Sequence, residues 1–301
     1  MVSQSPLLVQ TTSYAKKFCS FYSIPEKRAY RAKMSYFWGL TYLCSSSGYL
    51  IMKGTNKLQL MNPFIRKQMI IDTSAIEDYF CRYGPRVLLT FVKGSDEYVV
   101  VASCTASCSL HVYQSRYSRW VTYSKRGNPW TVLDFVVLHN TIYVLTNKAE
   151  IGVLSLNSTS LKLLELKNMP NGPSFLPKLL TSDGKLLVVF FEQNKLLDVY
   201  MIDFSTMSYV KLETLGDLAL FFSYPKSHAL SNPGKWGYES NCVYYINTIH
   251  PECEVYSGSN NEMIKCIVPA DSHRLPPRSQ LYWLDWCFQN QHDEVDYSMV
   301  Q

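Results

Sequence analysis

A strand-like apolar core comes back five times along this 301-residue chain: Tyr49-Leu-Ile-Met52, Tyr98-Val-Val-Val-Ala102, Ile142-Tyr-Val-Leu145, Leu186-Leu-Val-Val-Phe190 and Val243-Tyr-Tyr-Ile246. Counted from Leu50, Val99, Tyr143, Leu187 and Tyr244, the intervals are 49, 44, 44 and 57 residues. Propeller blades repeat at roughly 40 to 50 residues, so the recurrence predicts an all-β chain of small radial sheets, a β-propeller. Such a fold is a platform, and its function has to be argued from what it displays.

Several cores open a three-strand meander. The first runs through Lys53-Gly54-Thr55-Asn56-Lys57 to Leu58-Gln-Leu-Met61, and Asn62-Pro63 then turns the chain toward Gln68-Met-Ile-Ile71. The plan recurs over residues 142–166, with turns at Thr146-Asn147-Lys148 and Asn157-Ser158-Thr159-Ser160, and over residues 186–212, with a turn at Asp203-Phe-Ser-Thr206. Ser109-Leu-His-Val-Tyr113 and Arg119-Trp-Val-Thr-Tyr123 alternate as half-buried strands do, and Trp120 is expected to pack between blades. Helical signal is confined to residues 73–82. The Pro-rich stretches 168–177 and 269–277 read as inter-blade loops. At ~45 to 50 residues per blade the chain has room for about six, and residues 7–37 and 280–289, the latter with Tyr282, Trp283 and Trp286, are the candidates for closing the ring. One propeller domain is expected over residues 1–289. Residues 290–301, with Asp293, Glu294 and Asp296, are expected to be a solvated, disordered acidic tail.

The net charge of +5 is local. Residues 11–40 hold Lys16, Lys17, Lys27, Arg28, Arg31 and Lys33 against Glu26 alone, and the remainder balances at 23 basic and 23 acidic residues. Phe18, Phe21, Tyr22, Tyr30, Tyr36 and Phe37 interleave with these cations, a composition that can bind nucleic acid. A strand edge with inward aromatics and solvated lysines explains it better. The 22 Tyr and 14 Phe, with 47% apolar and only 18% charged residues, suit half-buried sheets around a sizeable core.

Nine cysteines contain no C-x-x-C, and Cys104-x3-Cys108 has no second pair to complete a zinc site. His250 and Cys253 are separated by Pro251 and have no obvious further ligands. Free thiols are expected, with no metal and no cofactor. The N-terminus has no basic region leading into a long apolar one, and no apolar run approaches the ~18 residues of a membrane helix. The expectation is therefore a cytoplasmic or nuclear protein without membrane contact, with Asn157-Ser158-Thr159 a polar turn and not a glycosylation acceptor. Glu77-Asp78 and Asp96-Glu97 are neighbours whose side chains point to opposite faces of a strand. No G-x-S-x-G elbow, phosphate loop, H-E-x-x-H or G-x-G-x-x-G occurs. His111 and His139 lie in or beside apolar runs and read as structural, so no catalytic residue is expected.

The absence of a Trp-Asp dipeptide speaks against WD40 repeats, and the absence of Gly-Gly against an ordinary kelch array. More specific motifs are present. Ser45-Ser46-Ser47-Gly48-Tyr49-Leu50, followed by Leu58-Gln-Leu-Met-Asn62-Pro63-Phe64-Ile-Arg66, resembles the opening blade of the plant F-box-associated β-propeller family. Leu215-Gly216-Asp217-Leu218-Ala-Leu-Phe221-Phe222 is similar to that family's Leu-Gly-Asp-x-Ala-Leu-Phe segment, and Asn241-Cys242-Val243-Tyr244-Tyr245 to its Asn-x-Ile-Tyr-Phe strand. The likeness covers essentially residues 7–289. It departs at Ser223, where Gly is frequent, and at Tyr49, where some members carry Trp. Physically these are scaffold positions: Gly48 relaxes the end of a Ser-rich turn ahead of an inner strand, Asn62-Pro63 is a rigid turn, and Gly216-Asp217 turns the chain ahead of the next strand. Gly48, Tyr49, Asn62, Pro63, Gly216, Asp217, Phe221, Asn241 and Tyr244 are accordingly expected to shape the fold and not to touch a substrate.

The resemblance implies a non-enzymatic platform similar to the substrate-recognition half of ubiquitin-ligase receptors. The family looks related to regulators of a GSK-type kinase in brassinosteroid signalling, so the implied partner is an unidentified protein, with a kinase among the candidates. Tyr, Trp and Arg on loops of one face are the expected anchors. The propeller-like sequence starts almost at Met1, which reads either as a member without an F-box or as a truncated sequence, and without that module docking to a ligase adaptor is not expected. The alternative is an enzyme or small-molecule binder using the central channel. Nucleic-acid binding through residues 16–33 is a third reading.

Overall fold

Each of the five recurrent cores forms a strand, but none opens its blade. A further strand precedes each, so the three-strand meander is the outer part of a four-stranded sheet. The computed structural model describes residues 6–12, 18–33, 40–76, 86–104, 109–124, 131–157, 161–170, 177–192, 195–223, 226–246, 252–267, 281–288 and 294–295.

In chain order, blade 1 takes β1 (Leu7–Thr12), β2 (Phe18–Ser23) and β3 (Arg28–Lys33). Blade 2 takes β4 (Thr41–Ser46), β5 (Tyr49–Gly54), β6 (Lys57–Asn62) and β7 (Lys67–Asp72). Blade 3 is β8 (Arg86–Val92), β9 (Tyr98–Ser103), β10 (Ser109–Gln114) and β11 (Arg119–Ser124). Blade 4 is β12 (Val132–Leu138), β13 (Thr141–Thr146), β14 (Ile151–Leu154) and β15 (Leu161–Leu163). Blade 5 is β16 (Lys178–Ser182), β17 (Lys185–Glu192), β18 (Lys195–Asp203) and β19 (Ser208–Leu212). Blade 6 holds β20 (Leu218–Phe222), β21 (Ser227–Ser231), β22 (Cys242–Ile246), β23 (Cys253–Ser257) and β24 (Met263–Ile267). Finally β25 (Leu281–Cys287) returns to blade 1, and β26 (Glu294–Val295) joins blade 3. The described helical structure is two 3-10 turns, Ser74–Ile76 and Pro233–Trp236. The rest of the helix expected over residues 73–82 falls outside the described residues.

Blades 1, 2 and 6 belong to one compact unit, Met1–Asp72 with Thr214–Gln291. Its ladder order β25-β1-β2-β3 joins the two ends of the chain in one sheet, with Leu7 opposite Cys287 and Thr12 opposite Leu281. The segments proposed for closure, 7–37 and 280–289, are the ones that meet. Blade 6 departs from the meander. Its β21 folds back on one edge of β20, the Pro233–Trp236 turn carries the chain across, and β22 pairs parallel to the other edge of β20. Gly237, at φ 79, ends that turn against Pro25 of blade 1. The core of this unit is aromatic: Phe221 stacks on Tyr244 at 4.9 Å and meets Tyr238 and Trp286 edge-on at 5.0 and 4.8 Å.

Blades 3, 4 and 5 form the second unit, Thr73–Glu213 with His292–Gln301. Aliphatic clusters fill the spaces between blades 3 and 4 and between blades 4 and 5. Glu294 and Val295, placed by the sequence in a solvated tail, pair parallel to Phe91 and Val92, and Val295 is buried among the blade 3–4 residues. One apolar side chain suffices to pin this short stretch.

Candidate protein-interaction surface

The first strands of neighbouring blades touch within each unit, and polar groups are buried there. Two carboxylates organise these contacts. Asp285 on β25 accepts from its neighbour's amide, Trp286 N, at 2.8 Å, from Ser45 N on β4 at 2.7 Å, from Tyr42 Oη at 3.0 Å and from Ser223 Oγ beside β20. Burial pushes its carboxyl above the ordinary value, while these four donors pull it down. In the other unit Asp134 on β12 accepts from Phe135 N at 3.0 Å and from Leu179 N on β16 at 3.0 Å, and pairs with Arg86 Nη1 of β8 at 3.0 Å. In both cases one aspartate on the middle blade clasps the first strand of the next blade and a side chain of the previous one. Both aspartates follow a leucine that breaks the strand register, Leu284 and Leu133. The signal was present in the sequence as Trp283-Leu-Asp-Trp286 and Val132-Leu-Asp-Phe135.

The expected scaffold residues fall into two groups. Ser47 (φ 49) and Gly48 (φ 75) make the two-residue turn between β4 and β5, where both positions need the left-handed region. Ser45 and Ser46, read as part of that turn, are instead buried strand residues, and Tyr49 follows in the core on the second strand of the blade, not an inner one. The 215–217 segment and Asn241 meet: Leu215 N donates to Asn241 Oδ1 at 3.2 Å, Ser240 Oγ to Asp217 Oδ1 at 2.7 Å, and Gly216 sits at φ 58. Phe221 and Tyr244 form the aromatic core described above. Asn62 differs from these, because its Oδ1 accepts from Phe64 N at 3.0 Å and Ile65 N at 3.2 Å. This turn, with Pro63 fixing its φ, sends Phe64 inward and Ile65 outward.

That turn builds the outer rim shared by blades 1 and 2. Phe64 packs on Phe21 with ring centroids 5.2 Å apart, and Tyr30 and Met61 join the same cluster. Met61 faces blade 1, so by strand alternation Gln59 and its cross-strand partner Ile70 share that face. Ile65 is 64% and Ile70 58% exposed. On the turns beside this cluster stand the exposed cations Lys27 and Arg28 of blade 1 and Arg66 of blade 2, with the Arg28 guanidinium 5.4 Å from the Tyr30 ring centre, while Lys67 falls on the face of β7 opposite Ile70. Tyr30 Oη donates to Glu26.

The model of the KIB1-4 beta-propeller family matches residues 21–267. The chain belongs to the KIB1-4 β-propeller family. With six sheets among the described residues, this KIB1-4 chain is an all-β, six-bladed propeller. A chain in a solved structure titled "Crystal structure of Nidogen/Laminin Complex" is similar in fold, with a TM-score of 0.52 and 9% identity, covering 95% of this chain and 100% of that one. No curated protein matches the chain.

The remaining candidates in this KIB1-4 propeller give no reaction centre among the described residues. No group of three or more His, Cys, Asp and Glu able to hold a metal is found there. The seven described cysteines are free thiols, while Cys81 and Cys108 lie outside the described residues, as do His250 and the Glu77-Asp78 pair. Burial pushes the Cys253 thiol well above its usual value, and Cys266, the one exposed thiol of the seven, is pushed up to about 11 by partial burial and Glu252. Thiols held protonated in this way are poor nucleophiles and poor ligands. Glu97 pairs with Arg116 at 3.0 Å, His111 Nδ1 lies 3.0 Å from Thr122 Oγ1, and His139 occupies a turn at φ 46. Trp120 packs on its cross-strand neighbour Tyr113, with ring centroids 5.4 Å apart and planes tilted by 56°. No described helix is long and apolar enough to cross a membrane.

Proposed function

We propose that this propeller is a non-enzymatic platform that binds another protein, in the manner of the recognition half of a ubiquitin-ligase receptor. The observation that carries the reading is the blade 1–2 rim, where exposed Ile65 on a rigid Asn-Pro turn and exposed Ile70 on the following strand lie near cations. Aliphatic anchors surrounded by polar groups are what a protein partner buries. A GSK-type kinase is the first partner to test, with cytoplasm or nucleus as the setting. Recruitment of a ligase adaptor is the work of an F-box and forms no part of the proposal.

The rim also weighs against nucleic acid. Base stacking needs free aromatic faces, whereas Phe21 and Phe64 are packed on each other and Arg28 lies over Tyr30. Gel filtration of the full chain mixed with a candidate kinase tests the reading, with co-elution expected. Failure to form a stable complex with any protein tested, together with turnover or tight binding of a small molecule, would overturn it.

A further inference from the structure

The rim of blades 1 and 2 states what kind of segment it accepts. Its cations are Lys27 and Arg28 at the β2–β3 turn and Arg66 in the β6–β7 turn, all exposed. None of them takes part in an ion pair among the described residues, where the pairs found are Arg86–Asp134, Arg116–Glu97, Lys211–Asp198 and Lys265–Glu239. Of the nearby acids, Glu26 accepts from Tyr30 and Asp72 closes the far end of β7, opposite Lys57. Lys27 and Arg28 belong to the stretch of residues 11–40 that carries the whole +5 excess of the sequence. Exposed cations without an ion-pair partner among the described residues, beside two aliphatic anchors, are complementary to one ligand chemistry: carboxylates flanking an apolar side chain.

We infer that this rim docks an acidic segment of a partner protein, with an aliphatic or aromatic anchor laid against Ile65 and Ile70 and its carboxylates on Lys27, Arg28 and Arg66. This rests on the reading of the chain as a protein-binding platform. A lipid or nucleic-acid phosphate would satisfy the cations but would leave the isoleucines in water. Electrostatic attraction accelerates encounter and weakens with salt, while the anchor sets the residence time.

The test uses the full chain and labelled peptides of about fifteen residues, a usual length for a groove-bound segment, read by fluorescence anisotropy. The panel contains Asp/Glu peptides with a Leu, Phe or Trp anchor, the same peptides with Lys for every acid, the acidic peptides with Ser for the anchor, and a single-stranded RNA. Binding is expected for an acidic anchored peptide, at least about tenfold tighter than for its charge-reversed or anchorless form. Ile65→Ser with Ile70→Ser, and separately Lys27→Glu with Arg66→Glu, are each expected to weaken it by about tenfold or more without shifting the thermal midpoint, because all four side chains are exposed. Equal binding of the reversed or anchorless peptides, tighter binding of the RNA, or no binding of any peptide overturns the inference. The same variants in the kinase co-elution experiment separate the two readings. If complexes persist at full strength with the rim altered, this docking surface is wrong and the platform stands; if no protein complex forms even with the unaltered chain, the platform reading itself fails.

Discussion

Asp285 shows how much a single carboxylate can be asked to hold. It joins a strand near the C-terminus to the second and sixth blades through four donors, and it is fully buried. An amide in its place would turn an N–H2 group toward donors, so Asp285→Asn is expected to cost about 2–4 kcal/mol in urea denaturation, while Ser223→Ala, which removes one donor, costs about 1 kcal/mol. Asp134→Asn should be milder than Asp285→Asn, because its partner Arg86 retains some solvent. The pH dependence has two signs. Burial lowers His111 from its ordinary value of 6.5 to about 4. The unfolded chain therefore takes up this proton first, and stability present above about pH 6.5 is lost as the pH falls toward 4, by about 1–2 kcal/mol. A His111→Asn variant should flatten that part of a stability–pH curve measured by chemical denaturation. Asp285, raised by burial, works the other way: its contribution is full below the unfolded carboxyl value and declines as the pH rises through the folded one.

At the level of elements, turns carry more information than strands. Removing the Asn62 side chain deprives two amides of their acceptor, so Asn62→Ala is expected to cost about 1 kcal/mol and to weaken peptide binding by loosening Ile65. Two glycines separate strain from collision. Gly94, at φ 71, has open space where a Cβ would stand, and Gly94→Ala should cost only the left-handed penalty of about 1 kcal/mol. At Gly237, φ 79, a Cβ would come 2.7 Å from Pro25 Cβ, so Gly237→Ala should cost roughly twice as much and disturb the contact between blades 6 and 1; thermal unfolding of the two variants side by side decides it. The second and third strands of each blade were legible in the sequence because their apolar residues run together or alternate. Of the first strands, Leu218–Phe222 was legible as an apolar run, and others were not: Thr41–Ser46 carries buried serines, and Leu43, Leu133 and Leu284 break the register, so period-two patterning is absent where the chain is most constrained. The rim was hidden for a different reason. Ile65 and Ile70 look like core residues in the sequence, and only their exposure in the folded chain shows that they meet solvent.

For the molecule as a whole, the repeat spacing and four motifs were enough for the fold class, the closing segments and a family. The sequence could not supply the fifth strand of blade 6, whose parallel β20–β22 pairing depends on a chain crossing that no periodicity announces. A chain ending at residue 280 lacks β25, and with it Asp285 and Trp286; it is expected to be insoluble, as judged by the fraction remaining in the supernatant after expression.

The pairing of β1 with β25 also sets a clock for biosynthesis. The first strand leaves the ribosome hundreds of residues before its partner, and at 5 to 20 residues per second that delay is on the order of ten to fifty seconds. Throughout it, Leu7, Leu8 and Val9, each fully buried in the finished molecule, lack the strand that covers them. Nascent chains of this protein are thus natural clients for ribosome-associated chaperones, and slowing translation would prolong that exposure.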